Sequence, residues 1–508
     1  MMVWRVLSAL VVGSFVAMPV LGQPRAGERW NLISILADDL GEWALGAYGN
    51  NEVVSPNIDR LAREGARFTN AFAASGVCTP SRVAFLTGLH PIQIGTLMDA
   101  TTTHGRATEG LPRGVPFWPR VLQQNGYVTG LVGKWHLGVT PESYPTNFGL
   151  DYYFGFLGGS LRPMDPLLTR DRQTQVHPGH TADLFGDDAV RFIERHRAQP
   201  FALLLHFREP HYPYAPLPAL DSAAVRSLDP TIPAVSEGDI KGQGEVLNRY
   251  LKQEFRNYYG SIHAMDRNIG RVLATLDSLD LTRKTIIMFT SDQGYLLGHR
   301  GLQSKGGAAP IQYWMYPDNR MLWVINMYDL AYRIPLIVKW PGVARPGGVI
   351  PELVSNIDTY ATVLGMLGIT PPRNAPVEGR DLTPLLRNER VPSWRDVIFA
   401  QHTPDQVGNI EFVRMIRGAR WKLVRAYLNP TNNQLFDLQN DPQELRNLYY
   451  ADLLTPRDTA VPRYRAIRDS LDRRLLEWQR SIDDPAIDLD RAFSEAKRRA
   501  RARWERPQ

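Results

Sequence analysis

Four apolar runs in the chain end in polar clusters. Asn31–Ala37 (NLISILA) leads into Asp38-Asp39, and Tyr127–Val132 (YVTGLV) into Gly133-Lys134-Trp135-His136. Phe201–Phe207 (FALLLHF) leads to Pro210-His211, and Thr285–Thr290 (TIIMFT) to Ser291-Asp292-Gln293-Gly294. Short uninterrupted apolar runs of this kind predict strands covered on both faces. Helical patterns lie between them. Ser55-Pro56 predicts a helix start, serine at the N-cap and proline in the first turn, with Ile58, Leu61 and Ala62 on the apolar face and Gly65 as the stop. Phe117–Asn125, Ala182–His196 and Tyr258–Leu279 predict further helices. Strands alternating with helices give an α/β fold, a large mixed but mostly parallel sheet sandwiched by helices. In open α/β sheets ligands bind beyond the carboxyl ends of the strands. Asp38, Asp39, Lys134, His136, His211, Asp292 and Gln293 are thereby expected to converge on one site.

The pattern changes near Pro371. Pro371–Arg390 reads as a connection, Val397–Tyr427 and Asn433–Leu438 carry short strand-like runs, and a long amphipathic helix is expected over about Arg463–Ile482. The expected organisation is a catalytic domain over residues 23–385 and a smaller C-terminal α+β subdomain with a basic helical tail over 386–508. Residues 1–22 carry Arg5 and then a mostly apolar stretch, too short for a membrane span, which reads as an export signal. The mature protein is therefore expected to be periplasmic or extracellular, without a transmembrane anchor. Gly306–Val324 is an aromatic-rich loop that either lines a cleft or is a surface insertion.

Composition narrows the choice of chemistry. The chain has 508 residues, 44% hydrophobic and 22% charged, which is globular composition. The formal charge of +6 is partly concentrated in Lys497-Arg498-Arg499-Ala500-Arg501-Ala502-Arg503. That tail reads as a solvated helical end, and no nucleic-acid partner is expected. Cys78 is the single cysteine. An exported chain with one thiol makes no internal disulfide, so the residue is either a small buried hydrophobe or has a task.

The segment Cys78-Thr79-Pro80-Ser81-Arg82-Val83-Ala84-Phe85-Leu86-Thr87-Gly88 resembles the type I sulfatase signature C-x-P-S-R-x-x-x-L-T-G, without departure. The resemblance extends over about Asn31 to Tyr449, and implies an alkaline-phosphatase-like fold and hydrolysis of sulfate esters, especially of sulfated carbohydrates. In that family a dedicated maturation enzyme oxidises the cysteine to formylglycine, whose hydrated diol attacks sulfur. A cysteine opening a helix lies where backbone N–H groups favour an anion, and Arg82 one turn later can hold a charged oxygen.

Asp38, Asp39, Asp292 and Gln293 resemble the family's metal ligands, which together with the modified Cys78 form a hard oxygen cage for Ca²⁺, with Mg²⁺ as the alternative. Many relatives carry Asn or His where this chain has Gln293. Gly133-Lys134-Trp135-His136-Leu137-Gly138 resembles the G-K-W-H-L-G segment, which implies sulfate binding by Lys134 and a bond from His136 to the diol. Pro210-His211-Tyr212-Pro213 resembles the P-H-x-P element, which makes His211 the general acid. Lys305 is similarly placed as the second sulfate-binding lysine, with Lys339 as a rival. Arg208, His299, Trp314 and Arg333 are open between sugar contacts and scaffold. Two alternatives stand beside sulfate-ester hydrolysis: a phosphonate or phosphodiester hydrolase of the same superfamily, and a non-catalytic glycan-binding relative.

Overall fold

The central strand, Asn31–Ala37, pairs in parallel with Phe201–His206 on one side and Thr285–Ser291 on the other. Val128–Lys134 and then Tyr152–Phe156 continue the parallel run beyond Phe201–His206. Leu167–Arg170 and Gln173–Val176 extend that edge antiparallel. On the other side Leu336–Lys339 and Ala66–Phe68 follow antiparallel, with Gly348–Ile350 outermost. The result is a ten-stranded sheet, mixed and mostly parallel at its centre. The computed structural model describes residues 29–94, 110–233, 244–311, 314, 324–373, 375, 377–403, 411–449 and 461–489. The expected signal segment 1–22, the basic run 497–503 and most of the 306–324 loop lie outside them. No helix among the described residues is long and apolar enough to cross a membrane.

Alternation along the central strand assigns its side chains to two cores. Leu32 and Leu36 face one that includes Phe85, Trp118, Leu122 and Val363, from the helices Cys78–Thr87, Trp118–Gln124 and Thr359–Met366. Ile33 and Ile35 face another that includes Ile58, Phe185, Ile262 and Ile269, from Pro56–Glu64, Thr181–His196 and the 35-residue helix Gly244–Ser278. Each fully buried Leu or Ile of this kind contributes roughly 1.5–3 kcal/mol, so the sheet is held from both sides.

The helix Pro56–Glu64 begins where the sequence predicts, for a different reason. Ser55 makes no capping bond. The Asp266 carboxylate, from the long helix, instead accepts from the backbone N–H groups of Asn57 at 3.0 Å and Ile58 at 2.8 Å. Gly65 is extended rather than left-handed. A Cβ there would lie 2.4 Å from the carbonyl oxygen of Val338, so close packing against the sheet requires the glycine.

The C-terminal part is a four-stranded antiparallel sheet, Val397–His402, Val413–Gly418, Trp421–Ala426 and Gln434–Asp437, followed by the helix Val461–Ser481. Ile398, Ala400, Met415 and Val424 pack towards Phe72 and Tyr332 of the large part. Ile416, Leu423 and Leu435 pack towards Leu471, Leu475 and Trp478 of the helix. The first strand also reaches the segment ahead of Cys78: Gln401 N–H donates to Ala74 C=O at 2.9 Å, and Ser75 bridges to Gln401.

Candidate active site

Cys78 opens its helix at the carboxyl ends of the central strands, 3% exposed. Asp38-Asp39 follows the Asn31–Ala37 strand directly and Asp292-Gln293 the Thr285–Ser291 strand. Lys134 ends its own strand, and His136 stands two residues beyond it with φ 59°. The sheet register thus gathers residues that are remote in sequence.

The Cys78 thiol lies 3.5 Å from Asp38 Oδ1 and 3.9 Å from Asp39 Oδ1. Lys305 Nζ is 2.7 Å from Cys78 Sγ and 2.6 Å from Asp39 Oδ1. Lys134 Nζ is 2.7 Å from Asp38 Oδ2, and His211 Nε2 is 3.6 Å from Asp39 Oδ2. Two ammonium groups and an imidazole therefore surround the sulfur and its two neighbouring carboxylates. Lys339 is elsewhere, paired with Glu64 at 2.6 Å, so Lys305 is the second lysine at this cluster.

Arg82 is fully buried and supports the floor. Its Nε and Nη2 each lie 2.9 Å from Asp292 Oδ2, and Nη1 donates to Lys134 C=O at 3.2 Å. The other Asp292 oxygen accepts from the N–H groups of Gln293 at 2.9 Å and Asp39 at 3.2 Å. Ser81 donates its hydroxyl to Asp292 C=O, and Asn356 Nδ2 donates to Ser81 Oγ at 2.8 Å.

Burial and charge divide these groups. Burial pushes the Cys78 thiol up to about 12, even with Lys134 and Lys305 beside it. A thiol so placed is a poor thiolate nucleophile at neutral pH. Burial would also raise Asp38, but Lys134, His211, Arg82 and Lys305 hold its carboxyl well below the usual range. Asp292 is raised to about 7, by burial first and then by the charge of Asp38. Burial lowers Lys305, but Asp39, Cys78 and Asp38 outweigh it and hold the ammonium well above its usual value. His136 is well below the usual imidazole value, through burial and then Lys134 and Arg82, and His211 is lowered to about 4, mainly by burial.

Single ligating atoms of Asp38, Asp39, Cys78 and His211 all lie within 4.8 Å of one another. Gln293 Oε1 is buried without a donor, while its Nε2 faces Asp39 Oδ1. Half a turn of that amide would present a carbonyl ligand to the carboxylates. Two carboxylates and an unused amide carbonyl suit a hard divalent cation, so the residues present fit a metal. Asp292 stands alongside with both oxygens engaged.

Sequence reasoning missed the residues that shape the site without chemistry of their own. His136 is buried with both ring nitrogens unpartnered, and a Cβ on Gly159 would lie 2.5 Å from its Nε2. Gly306 N–H donates to Gly76 C=O at 2.8 Å, and a Cβ on Gly306 would lie 2.9 Å from that oxygen. This close approach lays Lys305 beside Cys78. No local pattern marks these glycines; only their contacts do.

The open candidates have these surroundings. Arg208 is fully buried, donating to Leu161 C=O at 2.9 Å and Pro213 C=O at 2.5 Å, so it fastens the turn that carries His211. His299 packs on Trp43 with centroids 4.6 Å apart. Arg333 pairs with Glu42 at 3.1 Å and Asp329 at 3.6 Å. Trp314 lies against Tyr212, the neighbour of His211, with centroids 5.1 Å apart.

Comparison with known proteins agrees with this geometry. A family model described as Sulfatase matches residues 30–369, and one described as N-sulphoglucosamine sulphohydrolase, C-terminal, matches residues 314–479. Arylsulfatase D of Homo sapiens is 30% identical, with 82% of each chain covered. The N-acetylglucosamine-6-O-sulfatase of Bacteroides thetaiotaomicron is 27% identical, with 84% of each covered. Among solved structures, a complex with its substrate D-glucosamine-2-N,6-O-disulfate superposes with TM-score 0.71 at 25% identity, over 90% of this chain and 99% of that one. A structure from Bacteroides fragilis gives 0.73 at 25% identity, over 91% and 97%.

Proposed function

The chain belongs to the sulfatase family, and from that premise we propose that it releases sulfate from sulfated saccharides outside the cytoplasm, with Cys78 as the precursor of a formylglycine nucleophile. The observation that carries this reading is the convergence of Cys78, Asp38, Asp39, Lys134, Lys305 and His211 on one buried cluster. The family uses a metal and a formylglycine made from cysteine, and the Cys78–Asp38–Asp39 cluster is present here. The saccharide assignment draws support from the relatives' substrates. The location draws support from the apolar run within residues 1–22.

The high thiol pKa argues that sulfur is not itself the attacking atom. As a hydrated aldehyde, the residue would supply one hydroxyl to attack and a second to expel sulfate. Ca²⁺, held by Asp38, Asp39 and Gln293, and by Asp292 once it gives up one of its hydrogen bonds, would draw charge from the sulfate and acidify the attacking hydroxyl. Mg²⁺ would serve the same ligands less flexibly.

The chain's own residues do the rest. Lys134 and Lys305 flank the nucleophile position and meet sulfuryl oxygens as point charges. Arg82 fixes Asp292 and the helix that carries Cys78. His211 faces the solvent side of the cluster and gives its proton to the leaving oxygen; the anionic ester beside it raises its proton affinity. His136, neutral through burial, takes a proton from the nucleophile residue.

Incubation with defined sulfated saccharides, with ion chromatography for sulfate, tests the reading. Sulfate release lost in Cys78→Ala, together with a Cys78 peptide lighter than the unmodified one, is the expected result. A strong preference for phosphate diesters, or an unmodified Cys78 in active enzyme, would overturn it.

A further inference from the structure

Four buried side chains link the segments that carry the reacting groups, and the chemistry above does not use them. Tyr214, three residues after His211, is 1% exposed, and its hydroxyl lies 2.6 Å from that of Tyr295. Tyr295 stands two residues beyond Gln293 and is equally buried. Gln303, two residues before Lys305, donates from Nε2 to the Tyr214 hydroxyl at 3.4 Å. Tyr258, on the helix Gly244–Ser278, donates its hydroxyl to Asp39 C=O at 2.8 Å. Its ring stacks on Tyr295 at 5.5 Å and meets Tyr214 edge-on at 5.3 Å between centroids. One junction therefore joins the segments of His211, Gln293, Lys305 and Asp39.

Packing alone does not require these hydroxyls. Phenylalanine at 214 and 295 would fill the same space and need no partner. Buried hydroxyls are costly unless paired, whereas a satisfied buried network fixes one arrangement of the parts it joins. Burial holds both phenols above their usual value, so they stay neutral near pH 7. Arg208 ties the His211 turn to Leu161 C=O, while Tyr214 ties it to the segment that carries Gln293. What these ties set is a short spacing across Asp39. His211 Nε2 is 3.6 Å from one Asp39 oxygen, and Lys305 Nζ is 2.6 Å from the other.

We propose that the Tyr214–Tyr295 hydroxyl pair positions His211 to protonate the leaving oxygen, by holding its turn against the segment of Asp292 and Gln293. Both tyrosines act through His211 and not on the reacting atoms. The assignment rests on the sulfatase reading and extends it, because it names residues that decide which leaving groups the enzyme can handle. A saccharide alkoxide needs a proton as it departs, whereas a nitrophenolate leaves unaided.

The test measures kcat/KM for a sulfated saccharide that the enzyme accepts and for nitrophenyl sulfate, in one preparation of each variant. Their ratio is independent of the fraction folded and of the fraction with Cys78 converted. Tyr214→Phe and Tyr295→Phe each remove one hydroxyl and keep the ring. A misplacement of about 1 Å costs on the order of 10²-fold in rate, so the smaller shift from one lost hydroxyl bond should lower the saccharide-to-aryl ratio about tenfold. The double variant should match either single one, since all three lose the same bond. Tyr214→Phe added to His211→Ala should leave the ratio of His211→Ala unchanged. Equal losses on the two substrates in both single variants would overturn the proposal, because the hydroxyls would then serve only the fold. So would a further fall in the His211→Ala background. A wild type that releases no sulfate from any saccharide would instead defeat the sulfatase reading, and this assignment with it.

Discussion

Gly159→Ala should disable the site without replacing any group that reacts. The new methyl carbon would stand 2.5 Å from His136 Nε2 and 2.7 Å from Cε1, where ordinary contact begins near 3.4 Å. The imidazole must therefore move by about an ångström, and a misplacement of that size costs on the order of 10²-fold in rate, or about 2.7 kcal/mol of transition-state stabilisation. His136 can yield because neither ring nitrogen is tied to a partner. The fold should lose only about 1–3 kcal/mol to overpacking. The assay is kcat/KM for sulfate release in wild type, Gly159→Ala, His136→Ala and the double variant. The expected result is a loss of about 10²-fold in Gly159→Ala and almost no further loss when it is added to His136→Ala. An equal loss in both backgrounds would show instead that the glycine acts on something other than His136.

Gly306→Ala should push the Lys305 segment away from Gly76 and raise Ki for inorganic sulfate about tenfold, with a retained thermal midpoint as the control. Asp484→Ala should cost about 3–5 kcal/mol in denaturant unfolding, because Arg414 would lose its carboxylate at 2.6 and 2.8 Å while fully buried. The same pair gives an acid limit. Burial would raise the Asp484 carboxyl, but the Arg414 hydrogen bonds hold it below the usual value. Its contribution is thus present above the unfolded aspartate pKa of about 4 and lost as pH falls through the lower folded value. Circular dichroism should show Asp484→Ala less sensitive to acid than wild type. Dialysis against a chelator should lower both sulfate release and thermal midpoint, and added Ca²⁺ should restore both; a midpoint indifferent to the chelator would argue against a bound cation.

The strands and their polar ends were legible because a buried parallel strand needs an apolar run, and the change from apolar to charged marks where the sheet stops. Cys78 and its neighbours were legible for another reason: the segment resembles a family signature, and Arg82 follows Cys78 by one helix turn, so local sequence records that part of the geometry. Asp266 was not legible as the cap of Pro56–Glu64, because the two are 209 positions apart in sequence and meet only across packed helices. Ser55 offered the local alternative and lost to it. Gly159 and Gly306 were illegible in a stricter sense. Their contribution is an absence of atoms next to something distant, and a glycine in a turn-rich stretch carries no sign of what it avoids.

The bond from Gln401 to Ala74 has a consequence in time. A strand made some 320 residues after the catalytic segment closes over the residues just ahead of Cys78, and the finished fold leaves that side chain 3% exposed. If Cys78 is to be oxidised by another enzyme, as proposed, that enzyme must reach it before the C-terminal sheet docks. Folding and maturation are then competitors for one stretch of chain. A variant that folds faster could emerge more stable and yet less active, with its cysteine sealed in unconverted.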